Sequence, residues 1–192
     1  MSDVMSSARV VLGVAGASGA ALGLSVARQL NSLDVEIDLV ASAAARRTLE
    51  EECGPDAFDQ LQDLCTRHHD NGNIGASIAS GSVPVTGMIV APCSMRSLAA
   101  IAHGLDDNLL TRAAGVQLKE RRALVLLPRE APLTLAHLKN MKAATELGAI
   151  LLPPMPAFYL RPKSVQEIVD QIAARAIDLL HLAPPISKAW IE

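Results

Sequence analysis

Aromatic side chains are nearly missing from this sequence. Phe58, Phe158, Tyr159 and Trp190 are the only ones among 192 residues, too few for a surface that binds nucleic acid by stacking bases. Positive charge is not in excess either. Seventeen Lys and Arg against 20 Asp and Glu give a net charge of −3, which excludes a broad basic face but leaves room for a local cluster that holds one small anion. Cysteine is sparse: Cys53, Cys65 and Cys93 are odd in number, widely spaced and without a C-x-x-C pair. That argues against a disulfide framework or zinc knuckle and for a reducing compartment. No apolar run is long enough to cross a bilayer, and residues 1–8 carry no signal-peptide core. A cytoplasmic protein is expected, with neither nucleic acid nor membrane among its partners.

What is abundant is small and aliphatic. Half of the residues are hydrophobic, mostly Ala, Leu and Val, which suits one compact α/β domain over 1–192 with short tails at 1–8 and 183–192. Short apolar runs at 9–14, 35–40, 86–91, 123–127 and 149–152 read as strands. Between them, helical patterns cover 20–31, a stretch from about 43, 56–65, 94–103, 107–121, 133–147 and 164–182, the last with Ser164 and Glu167 spaced as a capping box. Residues 68–75 are polar and Gly/Asn-rich and read as loop. Strands alternating with helices predict a parallel sheet covered on both faces, and such sheets bind ligands at the carboxyl ends of their strands.

Four of the five strand ends carry ligand-type residues. Gly16-Ala17-Ser18-Gly19 follows the first strand and opens a helix, where bare N–H groups attract anions. The spacing is not G-x-G-x-x-G, and Asp38 falls inside strand two with Ser42 at that strand's end, so a mononucleotide fits better than a dinucleotide. Pro92-Cys93-Ser94-Met95-Arg96-Ser97 follows the third strand. Ser94 there is either a helix cap or part of a hydroxyl and amide nest, and Cys93 reads as a small buried residue. Pro128-Arg129-Glu130-Ala131-Pro132 presents an Arg and a Glu in a stiff loop. Pro153 to Tyr159 places Tyr159 where its hydroxyl can meet a phosphate, with Phe158 expected as a packing plug. Arg112 and Lys119, seven apart, share a helix face, whereas Arg121 and Arg122 read as complements of the macrodipole. Glu52, one of three consecutive Glu, reads by itself as part of a solvated face. His68-His69-Asp70 is the one metal-like cluster, and it reads as solvated loop.

Taken in order, Gly16-Ala17-Ser18-Gly19, Ile78-Ala79-Ser80-Gly81-Ser82, Ala91-Pro92-Cys93-Ser94, Leu118-Lys119-Glu120-Arg121-Arg122, Pro128-Arg129-Glu130-Ala131-Pro132 and Pro156-Ala157-Phe158-Tyr159 resemble the UbiX-like flavin prenyltransferases, including the small subunits associated with phenolic acid decarboxylases. The likeness runs from about residue 10 to 182. It implies a Rossmann-like (flavodoxin-like) three-layer fold. It also implies a metal-independent enzyme that joins a dimethylallyl group from dimethylallyl phosphate to N5 and C6 of reduced FMN, making prenylated FMN for a UbiD-type decarboxylase. By carry-over, Gly16, Ala17, Ser18, Ser42, Ser94, Met95, Arg96, Ser97 and Arg129 would hold FMN. Ser80, Arg112, Lys119, Glu130, Tyr159 and Arg175 would surround the prenyl phosphate, and Ser18, Glu52, Lys119 and Glu130 would be catalytic. A homo-oligomer is implied, a dodecamer with sites at subunit junctions. Three positions depart from the family pattern: Ala15 stands in place of Thr, Ile74 in place of Trp and Leu160 in place of His.

Two other readings use the same residues. One is an FMN-dependent decarboxylase of cysteine-derived carboxylates, with His103 or His137 as its histidine. The other is a non-catalytic subunit that carries flavin to a decarboxylase.

Overall fold

The computed structural model describes residues 8–190; of the expected N-terminal tail, residues 1–7 lie outside the described residues. Six parallel strands form one sheet in the order β3-β2-β1-β4-β5-β6. They are β1 (Arg9–Val14), β2 (Glu36–Ala41), β3 (Arg67–His69), β4 (Gly87–Cys93), β5 (Ala123–Pro128) and β6 (Ile150–Leu151). The central strands β1, β4 and β5 are almost wholly buried, which is why they read as unbroken apolar runs and not as alternation.

Helices cover both faces, giving the flavodoxin-like three-layer arrangement. One face packs α1 (Ala20–Ser32), α2 (Ala43–Cys53), α3 (Ala57–Asp63) and α7 (Val165–Asp178) over a core that includes Leu12, Leu30, Leu49 and Ile177. The other packs α4 (Met95–Ala102), α5 (Leu109–Lys119) and α6 (Leu135–Glu146) over Met88, Val90, Leu98 and Leu110. The glycines settle close approaches. A Cβ on Gly23 would lie 2.7 Å from the Ala91 carbonyl oxygen, and one on Gly16 would overlap Ala44.

The sheet departs from the sequence reading at one edge. Residues 67–69 form β3, paired to β2 through Asp38, Leu39 and Val40, although His68 was expected to start a loop. Three residues are too few to show a period. The pairing is tertiary: Asp38, fully buried in β2, accepts from Arg9 Nη2 at 2.9 Å and lies 2.7 Å from His69 Nε2. Burial alone would raise the Asp38 pKa, but the Arg9 and His69 partners outweigh it and hold the carboxyl below its usual range. Asp38 is thus spoken for within the fold. The expected capping box at α7 is offset by one residue. Ser164 Oγ accepts from Glu167 N, but Glu167 reaches Lys163 N, not Ser164 N.

The chain steps outward from β1 to β2 and β3, then returns to place β4 on the other side of β1. The order reverses between β1 and β4, and the crevice outside their carboxyl ends is where such a sheet takes a ligand.

Candidate active site

At that reversal the β1 turn is tied to the β4 turn: Ala15 N donates to Pro92 O at 3.1 Å, and Arg129 N donates to Cys93 O at 3.2 Å. The turns after β1, β4 and β5 therefore form one rim. Gly19 has φ 103°, a conformation that needs glycine, and it opens α1 without a side-chain cap. Glu52, from the far end of α2, fills that role. One of its carboxylate oxygens accepts from Gly19 N at 2.8 Å and Ala20 N at 2.9 Å. Burial would raise the Glu52 pKa, but the Ser18 side chain, the two amide donors and the charge of Arg129 together hold it below its ordinary value of 4.5. Glu52 is thus not an idle member of a solvated face. It ties the end of α2 to the start of α1 and feels the charge of Arg129.

Ser42 Oγ accepts from Ala45 N, and Ser94 Oγ accepts from Ser97 N while donating to Ser97 Oγ. Both serines cap helices, α2 and α4, that start at this rim, so both readings of Ser94 are compatible. Gly16 and Ser18 are exposed and Ala17 is half-buried, so the turn's backbone and the Ser18 side chain lie open to solvent at this rim. That donor set suits a flat, heteroatom-rich ring with a phosphate tail. Met95 is half-buried at the start of α4, and the Arg96 guanidinium is paired with Asp107. Cys93 is fully buried and its thiol is pushed up to about 12, an inert core residue as the sequence indicates.

The residues assigned to the prenyl phosphate do not meet within one chain. Leu109 N, at the start of α5, bonds Asn71 O just beyond the carboxyl end of β3, so α5 runs back along the sheet and delivers Lys119 to the amino ends of the strands. There Lys119 is ion-paired with Glu120, and Ser80 Oγ lies 2.8 Å from Ser82 Oγ in a neighbouring loop. Arg112, two turns back along the same helix face and so nearer the carboxyl ends, bonds Asp106 at 3.0 Å and Ala79 O at 3.2 Å. Strands of six to seven residues put Lys119 roughly 20 Å from the rim that carries Glu130.

Tyr159 and Arg175 line a third place, a cavity of about 470 Å³ on the α7 face with Leu152, Met155 and Ile172. The α5 and α7 clusters lie on opposite faces of the sheet, so a ring of cations round one small phosphate is not formed by a single protomer. Phe158 also departs from expectation: it is 77% exposed and plugs nothing in its own chain.

Sequence reasoning missed Arg122. Its guanidinium donates to Gly81 O at 2.7 Å and Val83 O at 3.0 Å, bracing the Ser80 loop against the end of α5. The signal available was Gly81, whose missing side chain would overlap Glu120 and sit 2.6 Å from Lys119 Nζ. Both candidates for the histidine of a decarboxylase are engaged elsewhere. His137 Nδ1 accepts from Thr134 N in the α6 capping box, and His103 bonds Asn140. His68 and His69 turn to different partners, Gln62 O and Asp38. No helix among the described residues is long and apolar enough to cross a membrane.

Comparison with known proteins agrees with the fold. The Flavoprotein family model matches residues 1–177. Flavin prenyltransferase UbiX from Neisseria meningitidis is 48% identical over 182 residues, 95% of this chain and 96% of that protein. Its Escherichia coli K12 counterpart is 45% identical over 92% and 94%. Among solved structures, AnUbiX (PadA1) in complex with FMN and dimethylallyl pyrophosphate has a TM-score of 0.92 at 40% identity, covering 97% of this chain and 99% of that one. A dodecameric FMN-dependent UbiX-like decarboxylase from Escherichia coli O157:H7 has a TM-score of 0.91 at 42% identity, covering 96% of this chain and all of that one. The cysteine decarboxylase TvaF shares the fold alone, at 14% identity and a TM-score of 0.66. With such likeness over nearly its whole length, the chain belongs to the Flavoprotein family and, within it, to the UbiX flavin prenyltransferases.

Proposed function

We propose that this chain, a single flavoprotein domain, transfers a dimethylallyl group from dimethylallyl phosphate to reduced FMN, and that each complete site is assembled from more than one protomer. The observation that carries this reading is the rim at the β1/β4 reversal, where Glu52 holds the Gly19 and Ala20 amides and backbone bonds tie the β1 turn to Pro92 and Arg129 to Cys93, in a family with a member solved in complex with FMN and dimethylallyl pyrophosphate. Reduced FMN supplies electron-rich N5 and C6, to which the prenyl group becomes attached. The chain's own groups bind and orient. Gly16, Ala17 and Ser18 would lie along the ring edge, with Ser42, Ser94, Met95, Arg96, Ser97 and Arg129 taking the remaining polar groups and the phosphate tail. Arg96 would have to exchange Asp107 for the ligand.

Ser80, Arg112 and Lys119 from one subunit, Tyr159 and Arg175 from another and Glu130 beside the rim would gather the departing phosphate. Fixed cations and donors stabilise the charge that develops as the C1–O bond breaks. An apolar cleft shields the allyl fragment from water. Glu52 is held ionised and is therefore a weak base. Its part is to orient the Ser18 O–H and to receive a proton only transiently, which leaves the released phosphate as the final acceptor.

Assembly accounts for the surface. Leu135, Leu138, Met155, Phe158 and Val165 are at least half exposed, and α6 buries only Ala144. Apolar area on this scale marks subunit contacts, consistent with a homododecamer. A UbiD-type decarboxylase in the cytoplasm would receive the product, a setting that suits the three free cysteines. Anaerobic incubation of the flavin-loaded protein with dimethylallyl phosphate, followed by the flavin absorption spectrum, tests the reading. A changed spectrum supports transfer, and an unchanged one favours the carrier subunit.

A further inference from the structure

Gln171, Arg175 and Asp178 lie four and three residues apart on α7 and so share one face. Arg175, in the middle, lines the cavity that also holds Tyr159. Its two neighbours are occupied by the chain's own C-terminal segment. Asp178, only 8% exposed, accepts from Ile186 N at 2.8 Å and Ser187 N at 3.2 Å. Gln171 forms a two-way amide pair with Lys188, accepting from its N at 3.0 Å and donating to its O at 3.0 Å. Beyond these anchors the Trp190 ring meets the Tyr159 ring edge-on, with centroids 5.1 Å apart. Pro185, Ser187, Lys188 and Ala189 then form one wall of the cavity.

We propose that Gln171 and Asp178 are positioning residues for the prenyl-donor half-site: they strap residues 185–190 across Arg175, closing the cavity wall and fixing the Tyr159 ring through Trp190. The inference rests on the assignment of Tyr159 and Arg175 to the prenyl phosphate. Physically, a nearly buried carboxylate taking two backbone donors is a strong, directional anchor. An edge-to-face ring contact limits the tyrosine, which otherwise sits on an exposed single turn. Without the strap, Arg175 and Tyr159 would have to be ordered at the moment of binding, and that cost would be read in donor affinity, not in the chemical step.

The test uses the assembled, flavin-loaded protein and the variants Asp178→Ala, Asp178→Asn and Gln171→Ala. Hydrogen exchange at residues 186–188 reads the strap directly, and KM for dimethylallyl phosphate against kcat reads its consequence. Asp178→Ala removes two charge-assisted hydrogen bonds and should speed exchange and raise KM, each by about tenfold or more, with kcat and FMN affinity within about twofold. Asp178→Asn, which keeps one acceptor, should fall between it and the parent. Should Asp178→Ala not fold, Gln171→Ala at its half-buried position carries the same test. Unchanged exchange overturns the anchoring, and faster exchange with an unchanged KM overturns the link to the donor site. If the parent protein makes no prenylated flavin, the transferase reading fails separately. The strap is then judged by exchange and by inorganic phosphate binding, which must weaken in Asp178→Ala.

Discussion

If Lys119 and Arg175 act on one phosphate from different protomers, two dead variants should make a live mixture. Within one chain the two residues lie on opposite faces of the sheet, Lys119 at the end of α5 and Arg175 in α7. Neither can reach the other's cluster. Lys119→Ala and Arg175→Ala each remove one fixed charge from the leaving phosphate, and each alone should cost about a hundredfold or more in kcat/KM. Co-expressed in equal amounts and assembled at random, a site needs its Lys119 subunit from one variant and its Arg175 subunit from the other. Each condition holds half the time, so about a quarter of the sites regain both groups, as the symmetry of a heterologous interface requires. The assay is prenylated flavin formed per mole of protein, with each variant alone as baseline and the double variant mixed with the parent as control. Activity near a quarter of the parent's bears the arrangement out. A mixture no better than its components would mean that one chain supplies both residues, and the composite site would be refuted.

Other outcomes follow from single residues. Lys119→Ala should raise KM for dimethylallyl phosphate about a hundredfold while FMN binding stays the same; unaltered kinetics would remove Lys119 from the site. Ser18→Ala should slow prenyl transfer about tenfold or more, the size of a lost acid–base contact, checked by single-turnover spectra. Glu52→Gln tests the linkage between charge and stability. The folded pKa of Glu52 lies below its ordinary 4.5, so its contribution is complete above that value and is lost as pH falls through the folded pKa. The parent should exceed the variant by under about 1 kcal/mol near neutrality, since the side chain is exposed, and the two melting points should converge at low pH. Gly16→Val should cost about 2 kcal/mol or more because its side chain meets Ala44, measured by chemical denaturation.

The sheet was legible because β1, β2, β4 and β5 are apolar runs bounded by turn residues, and the turns that follow β1, β4 and β5 do form one rim. What stayed hidden is tertiary. β3 is three residues long and exists through Asp38 pairing with Arg9 and His69, a contact spread over three segments. Glu52 reads as solvated because its partners, Gly19 and Ala20, are over thirty positions away. Arg122 was assigned to its own helix end, yet its guanidinium serves the Ser80 loop. The resemblance names the cations by motif, but no local pattern tells whether two helices face the same space, so their separation in one chain emerged only with the layers in place.

Prenyl transfer itself is tested most directly by mass spectrometry of the flavin released after anaerobic incubation of the reduced, FMN-loaded protein with dimethylallyl phosphate. The expected result is a flavin heavier by one five-carbon prenyl unit, formed in proportion to the protein present. Recovery of FMN alone, from protein shown to be assembled and flavin-loaded, would contradict it.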